Sequence, residues 1–233
     1  MRLRSAALAI LFASVGFAGN CLHAQISAAQ ITYGFENPQL QPASYIILIR
    51  EDGTGHFHST PGPVGPPSAD DPWSGIAPEP VDRDIRIDEP LRAQLFEYIR
   101  AHKFLSRPCE HSSGRLAFTG KKTLSYAGSD GQGSCTFNYA SDPALQRLSD
   151  QLISLAFTLE EGRRLAVEHK HSRLSLDSEL ETLLQAAKDQ RAICIGNISA
   201  ELQSIADDEE VMQRARSRAR SLLASASGQP PVK

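Results

Sequence analysis

The sequence predicts an α+β protein: an antiparallel sheet covered by helices, followed by an all-helical C-terminal unit. Two observations carry this. From Gly114 to Ala140 the run GRLAFTGKKTLSYAGSDGQGSCTFNYA alternates apolar and polar side chains with period two. Leu116 and Phe118, then Leu124 and Tyr126, then Cys135, Phe137 and Tyr139 mark three short strands with one buried face. Reversals fall at Gly120-Lys121 and across Gly128 to Ser134. No aromatic residue follows Phe157 and no proline lies between Pro143 and Pro230, so the last third, rich in Leu, Ile, Ala and charge, reads as helix.

Residues 25–41 are mixed in pattern and receive no element. Ala43 to Arg50 (ASYIILIR) predicts a strand apolar on both faces, Ile47 and Ile49 on one and Ile46 and Leu48 on the other, and therefore a central one. Glu51-Asp52-Gly53 turns the chain into a hairpin partner, Thr54 to Ser59, on which Phe57 opposes His56 and His58. Residues 61–80 hold seven Pro and three Gly, which excludes a helix or an interior strand; Trp73 in this loop reads as a pin to the core. A short strand, Asp84 to Ile87, precedes a helix that Asp88-Glu89-Pro90 opens and that runs to about Phe104. Its stripe of Leu91, Leu95, Phe96 and Ile99 suits one face of the sheet. Asp142-Pro143 starts the next helix, with Leu145, Leu148, Leu152, Leu155 and Leu159 at helical spacing up to Gly162, a point of interruption or kinking in a continuation toward Lys170. Further helices are expected near Ser178 to Ala187, Arg191 to Ile205 and Glu209 to Ser225. The implied organisation is a leader over 1–24, an α+β domain over 25–161, a helical unit over 162–226 and a disordered tail over 227–233.

Arg2 and Arg4 ahead of the apolar run Ala6 to Ala18, with a small-residue exit, read as a signal peptide cleaved after Ala24. The apolar run is shorter than the roughly 20 residues of a spanning helix, so a periplasmic or secreted chain that does not span the membrane is expected. Loss of 1–24 removes two Arg and no acid, which takes the formal charge from −3 to −5 and argues against a nucleic-acid partner. Of the cysteines that remain, Cys109 precedes the three-stranded segment and Cys135 lies on its last strand, so these two are expected to form a disulfide. Cys194, within a helical pattern, reads as a buried free thiol.

His56 and His58 share one face of a strand, about 7 Å apart, a spacing two metal ligands can use. A metal site needs a third and usually a fourth ligand, and the bland reading is two solvent-facing imidazoles on an edge strand. Glu168-His169-Lys170-His171 reads as a polar surface. Thr119-Gly120-Lys121-Lys122 is a fragment of a phosphate loop in the wrong context, and reads as a cationic turn. Asp207 to Glu210 caps a helix, and Arg214, Arg216, Arg218 and Arg220 form mostly a solvated face. No catalytic residue and no cofactor is expected.

The run ADDEEVMQRARSRARSLL, within residues 177–224, resembles one HEAT-type helical pair, with acids opening the second helix and Val211, Arg214, Ala215, Ala219 and Leu222 on the inward side or its margin. One repeat of this kind implies a small helical appendage packed on the first domain. YIILIREDGTGHF, TGKKTLSY and CTFNYA are similar to an uncharacterised family of secreted, acidobacterial-type bacterial proteins, a resemblance that implies export and supplies no activity. The expectation from sequence is a non-enzymatic binding or interaction module whose partner is a protein or an envelope component. The alternative is a hydrolase or metal-dependent enzyme with residues dispersed along the chain.

Overall fold

The structure, a computed structural model, describes residues 28–65, 78–111 and 116–227. The leader, Trp73 and the last residues of the tail fall outside this set. Six strands form one antiparallel sheet: β1 (Gln30–Glu36), β2 (Ser44–Arg50), β3 (Thr54–Thr60), β4 (Asp82–Arg86), β5 (Lys121–Gly128) and β6 (Gly131–Phe137). Their order across the sheet is β4-β3-β2-β1-β5-β6. The helices are α1 (Glu89–Ala101), α2 (Pro143–His171), α3 (Leu176–Lys188), α4 (Ser199–Asp207) and α5 (Gln213–Ala226). The α+β class with C-terminal helices is thus what the chain adopts.

Three strand expectations are corrected. The sheet's interior strand β1 lies in a stretch given no element, although Ile31, Tyr33 and Phe35 alternate there and are all buried. It joins the two halves of the sheet, with Tyr33 opposite Ile47 of β2 and Leu124 of β5. The run from Gly114 to Ala140 holds two strands and not three: Leu116 and Phe118 lie outside the sheet and are 47% and 62% exposed. The turn between β5 and β6 is only Ser129-Asp130, because pairing continues to Gly128 opposite Gly131. Finally β3 is no edge strand. It pairs with β2 on one side and with β4 on the other, the latter across the Pro-rich connection.

One face of the sheet is covered. Tyr33, Ile47, Ile49, Phe57, Leu124 and Phe137 are fully buried against the α1 stripe of Leu91, Leu95, Phe96 and Ile99 and against Leu145, Leu148 and Leu152 of α2. Tyr33 and Ser149 hydroxyls meet at 2.8 Å across this layer. Lys122, expected in a cationic turn, is also buried on this face, where its Nζ donates to Asn138 O at 2.7 Å and Thr119 Oγ1 at 2.9 Å. Burial lowers its pKa, and those oxygens replace its water.

Asp142 caps α2, its carboxylate accepting from Ala144 N at 2.8 Å, with Pro143 at the first helical position. The helix runs on through Gly162 to His171, close to the continuation expected toward Lys170, and position 161/162 lies inside it. Gly162 serves close packing, since a Cβ there would sit 2.3 Å from the Ile198 methyl. Ile198 ends a 3-10 turn, Ile195–Ile198, that replaces the first part of the helix expected from Arg191. The acids Asp207 and Asp208 end α4 and do not start α5; Asp208 Oδ1 instead accepts from Glu210 N in the intervening turn. Arg218 and Arg214 of α5 engage Asp177 of α3, and Arg220 donates to Ala206 O at 2.7 Å, so this row of arginines stitches the helices together. One continuous core runs from the sheet through α2 to α5. Cys109 and Cys135 form the expected disulfide, and Cys194 is free and buried.

Candidate functional site: the open face of the sheet

Side chains alternate across a strand, so the register that buries Tyr33, Ile47 and Phe57 sends their neighbours to the opposite face. Two rows cross all six strands there. One runs Asp84, His56, Leu48, Thr32, Ser125, Ser134; the other runs Asp82, His58, Ile46, Gly34, Thr123, Thr136. None of these twelve residues is buried, and Ile46, in mid-sheet, is 52% exposed. The expectation that β2 is apolar on both faces is correct for the residues, but Ile46 and Leu48 face outward from an open surface.

The face has three zones. On β1, β5 and β6 it carries short hydroxyl side chains, Thr123 and Thr136 bonded at 3.3 Å. On β2 it carries the two aliphatic side chains. On β3 and β4 imidazoles and carboxylates interlock: His56 Nδ1 meets Asp84 Oδ1 at 3.0 Å, His56 Nε2 meets Asp82 Oδ1 at 3.1 Å, and His58 Nδ1 meets Asp82 Oδ2 at 2.9 Å. Carboxylates at both nitrogens of an imidazole favour its protonated form. The His56 pKa is accordingly raised, chiefly by Asp84, and that of Asp82 is lowered, chiefly by His58.

His56 and His58 are therefore brought together with two acids that sequence spacing does not associate with them. The four sit on the open face of the sheet, and none of them is buried. Among the described residues no group of three or more His, Cys, Asp or Glu is placed to hold a metal ion. Two further imidazoles lie elsewhere: His102 contacts Asp142, and His111 N donates to Tyr139 O at 2.8 Å. His169 is in the last turn of α2 and meets Asp208 at 2.8 Å, a contact between helices and not a free polar surface.

The edge of the sheet beside this zone is blunted. β4 has five residues, three of the side chains on its open-face rows and end being charged, and Asn197 occupies the main chain of Arg86. Arg83 of β4 also pairs with Glu201 of α4 at 2.8 Å. Strand addition at Thr54 to Ser59 is excluded by the pairing of β3 on both sides. No helix among the described residues is long and apolar enough to cross a membrane. Compared with protein-family models and with curated proteins, the chain matches none.

Proposed function

We propose that the protein is an extracytoplasmic binding module that holds a protein partner against the open face of its sheet. One observation carries this reading: the centre of a six-stranded sheet exposes Ile46 with no element of the described chain over it. At about 4.8 Å between strands and about 3.3 Å per residue, six strands of about seven residues span roughly 650 Å2. That approaches the ~800 Å2 each partner contributes to a standard protein interface and far exceeds what a small ligand covers. An aliphatic centre flanked by hydroxyls and charges has the layout of an interface core with a polar rim. Asp82 and Asp84 at that rim favour a partner with Lys or Arg opposite them. Export is supported by the charged and apolar N-terminal pattern and by the Cys109–Cys135 disulfide, a bond that persists outside the cytoplasm.

The test is site-specific photocrosslinking. A benzoylphenylalanine at position 46 should give one protein adduct in the native envelope, and the same group at Leu174, which is 82% exposed on the helical side, should give none. Equal adducts at both positions, or none at 46, contradict the reading. An adduct with a second copy of this chain identifies self-association as the interaction and also contradicts it.

A further inference from the structure

Where α1 ends and α2 begins, the chain encloses a cleft of about 400 Å3. This is within the size range of small-molecule sites, roughly 300–1,000 Å3. Its floor is apolar, made by the buried Leu105 and Leu145 and by Cys109 of the disulfide. The Tyr98 and His102 rings stack with centroids 4.0 Å apart along one side.

The one acid in the lining is already engaged. Asp142 Oδ1 accepts from Ala144 N at 2.8 Å, and its Oδ2 accepts from Tyr98 Oη at 2.8 Å with His102 Nε2 3.4 Å away. Lys103 and Arg107 also line the cleft, and neither side chain has an ion pair or hydrogen bond among the described residues. An apolar floor under two cations that are unpaired among the described residues is complementary to an organic anion.

The backbone that presents Lys103 is held in an unfavourable conformation. Lys103, Phe104 and Leu105 have φ of 51°, 54° and 64°, three successive left-handed residues that each cost about 1–2 kcal/mol. The surroundings impose this turn. Phe104 stacks on Tyr126 at 5.3 Å, and it lies so close over β6 that a Cβ on Gly133 would fall 1.6 Å from its carbonyl oxygen. A strained turn over-determined by packing, at the mouth of a cleft, is the arrangement found where a site is preorganised.

We propose that this cleft binds a small carboxylate with an apolar ring, the ring on Leu105 and Leu145 and the carboxylate between Lys103 and Arg107. Arginine suits a planar carboxylate through paired hydrogen bonds, and the apolar floor disfavours a fully hydrated inorganic anion.

The experiment is an amide-resonance titration of the full, disulfide-bonded chain with benzoate, with benzyl alcohol and inorganic phosphate as comparisons. Benzoate should give saturable shifts confined to residues 98–109 and 141–145. Benzyl alcohol and phosphate should bind at least tenfold more weakly, and the K103Q/R107Q variant should lose about tenfold in benzoate affinity with its remaining spectrum unchanged. An R107A variant, which leaves the left-handed turn untouched, should show a smaller loss in the same direction. Equal binding of benzyl alcohol, shifts reproduced by phosphate alone, or an unchanged affinity in both variants overturns the proposal. None of these outcomes bears on the open face of the sheet, which lies on the other side of the sheet from α1 and α2.

Discussion

Asn197 treats the main chain of Arg86 as a neighbouring strand would: its Oδ1 accepts from Arg86 N at 2.7 Å and its Nδ2 donates to Arg86 O at 2.9 Å. The same Nδ2 donates to Cys194 O at 3.0 Å, so one side chain ties the outermost strand to the turn before α4. Replacing Asn197 with Ala returns these groups to water at a half-exposed site and should cost about 1 kcal/mol. Urea unfolding monitored by circular dichroism measures it. An unchanged midpoint would show that the edge does not depend on this contact.

Gly162 sets a second test, because propensity and packing predict opposite signs. In a helix interior Ala is better than Gly by about 1 kcal/mol. Here the added methyl meets Ile198 Cγ2 at 2.3 Å and Cβ at 3.0 Å, a branched side chain that cannot swing aside. Gly162→Ala should therefore destabilise by about 1–3 kcal/mol, and Ile198→Ala should be less harmful in that background than alone. A stabilised G162A protein would place the helix farther from Ile198 than described.

The acid and imidazole row has a signed pH dependence. A raised His56 pKa contributes stability that is fully present below the usual histidine value of about 6.5 and is lost as pH rises through the folded-state value. A lowered Asp82 pKa contributes stability present above the usual aspartate value of about 3.9 and lost as pH falls through the folded-state value. The gap in melting temperature between the wild-type protein and His56→Gln should thus be widest near pH 5 and should narrow by about pH 8. A gap that widens toward alkaline pH contradicts the assigned contacts.

The cysteines should behave differently from one another. The Cys109–Cys135 bond closes a loop with a sequence separation of 26, so the paired change to Ser should cost about 3 kcal/mol under the chain-entropy account. Burial pushes the Cys194 thiol up to about 12, so alkylation of the native protein at pH 8 should spare it, whereas in concentrated urea it should react. Rapid native alkylation would mean that the helices open there.

Much of this fold is local information. Asp142-Pro143 announces α2 because both residues act within one turn, and the α1 stripe of Leu91, Leu95, Phe96 and Ile99 is a periodic signal. Strand β1 was legible in the alternation of Ile31, Tyr33 and Phe35, but Gln30, Gly34 and the polar flanks dilute it. Other features depend on partners distant in the chain. His56 meets Asp84 only because β4 returns to β3 across the Pro-rich segment, and this pairing also removes β3 from the edge. Lys122 is buried because the hairpin brings Asn138 back beside it, where Asn138 and the nearby Thr119 supply acceptors. Ile46 and Ile47 are chemically alike, so no local pattern tells which of the two the helices cover.

The open face is tested most directly by carbene footprinting of the purified protein, alone and after incubation with native envelope extract. Ile46 and Leu48 should be labelled in the isolated protein and protected in the extract, while Leu174 is labelled equally in both. Failure to label Ile46 in the isolated protein, or equal labelling of Ile46 in the two samples, would contradict a partner-binding surface on this face of the sheet.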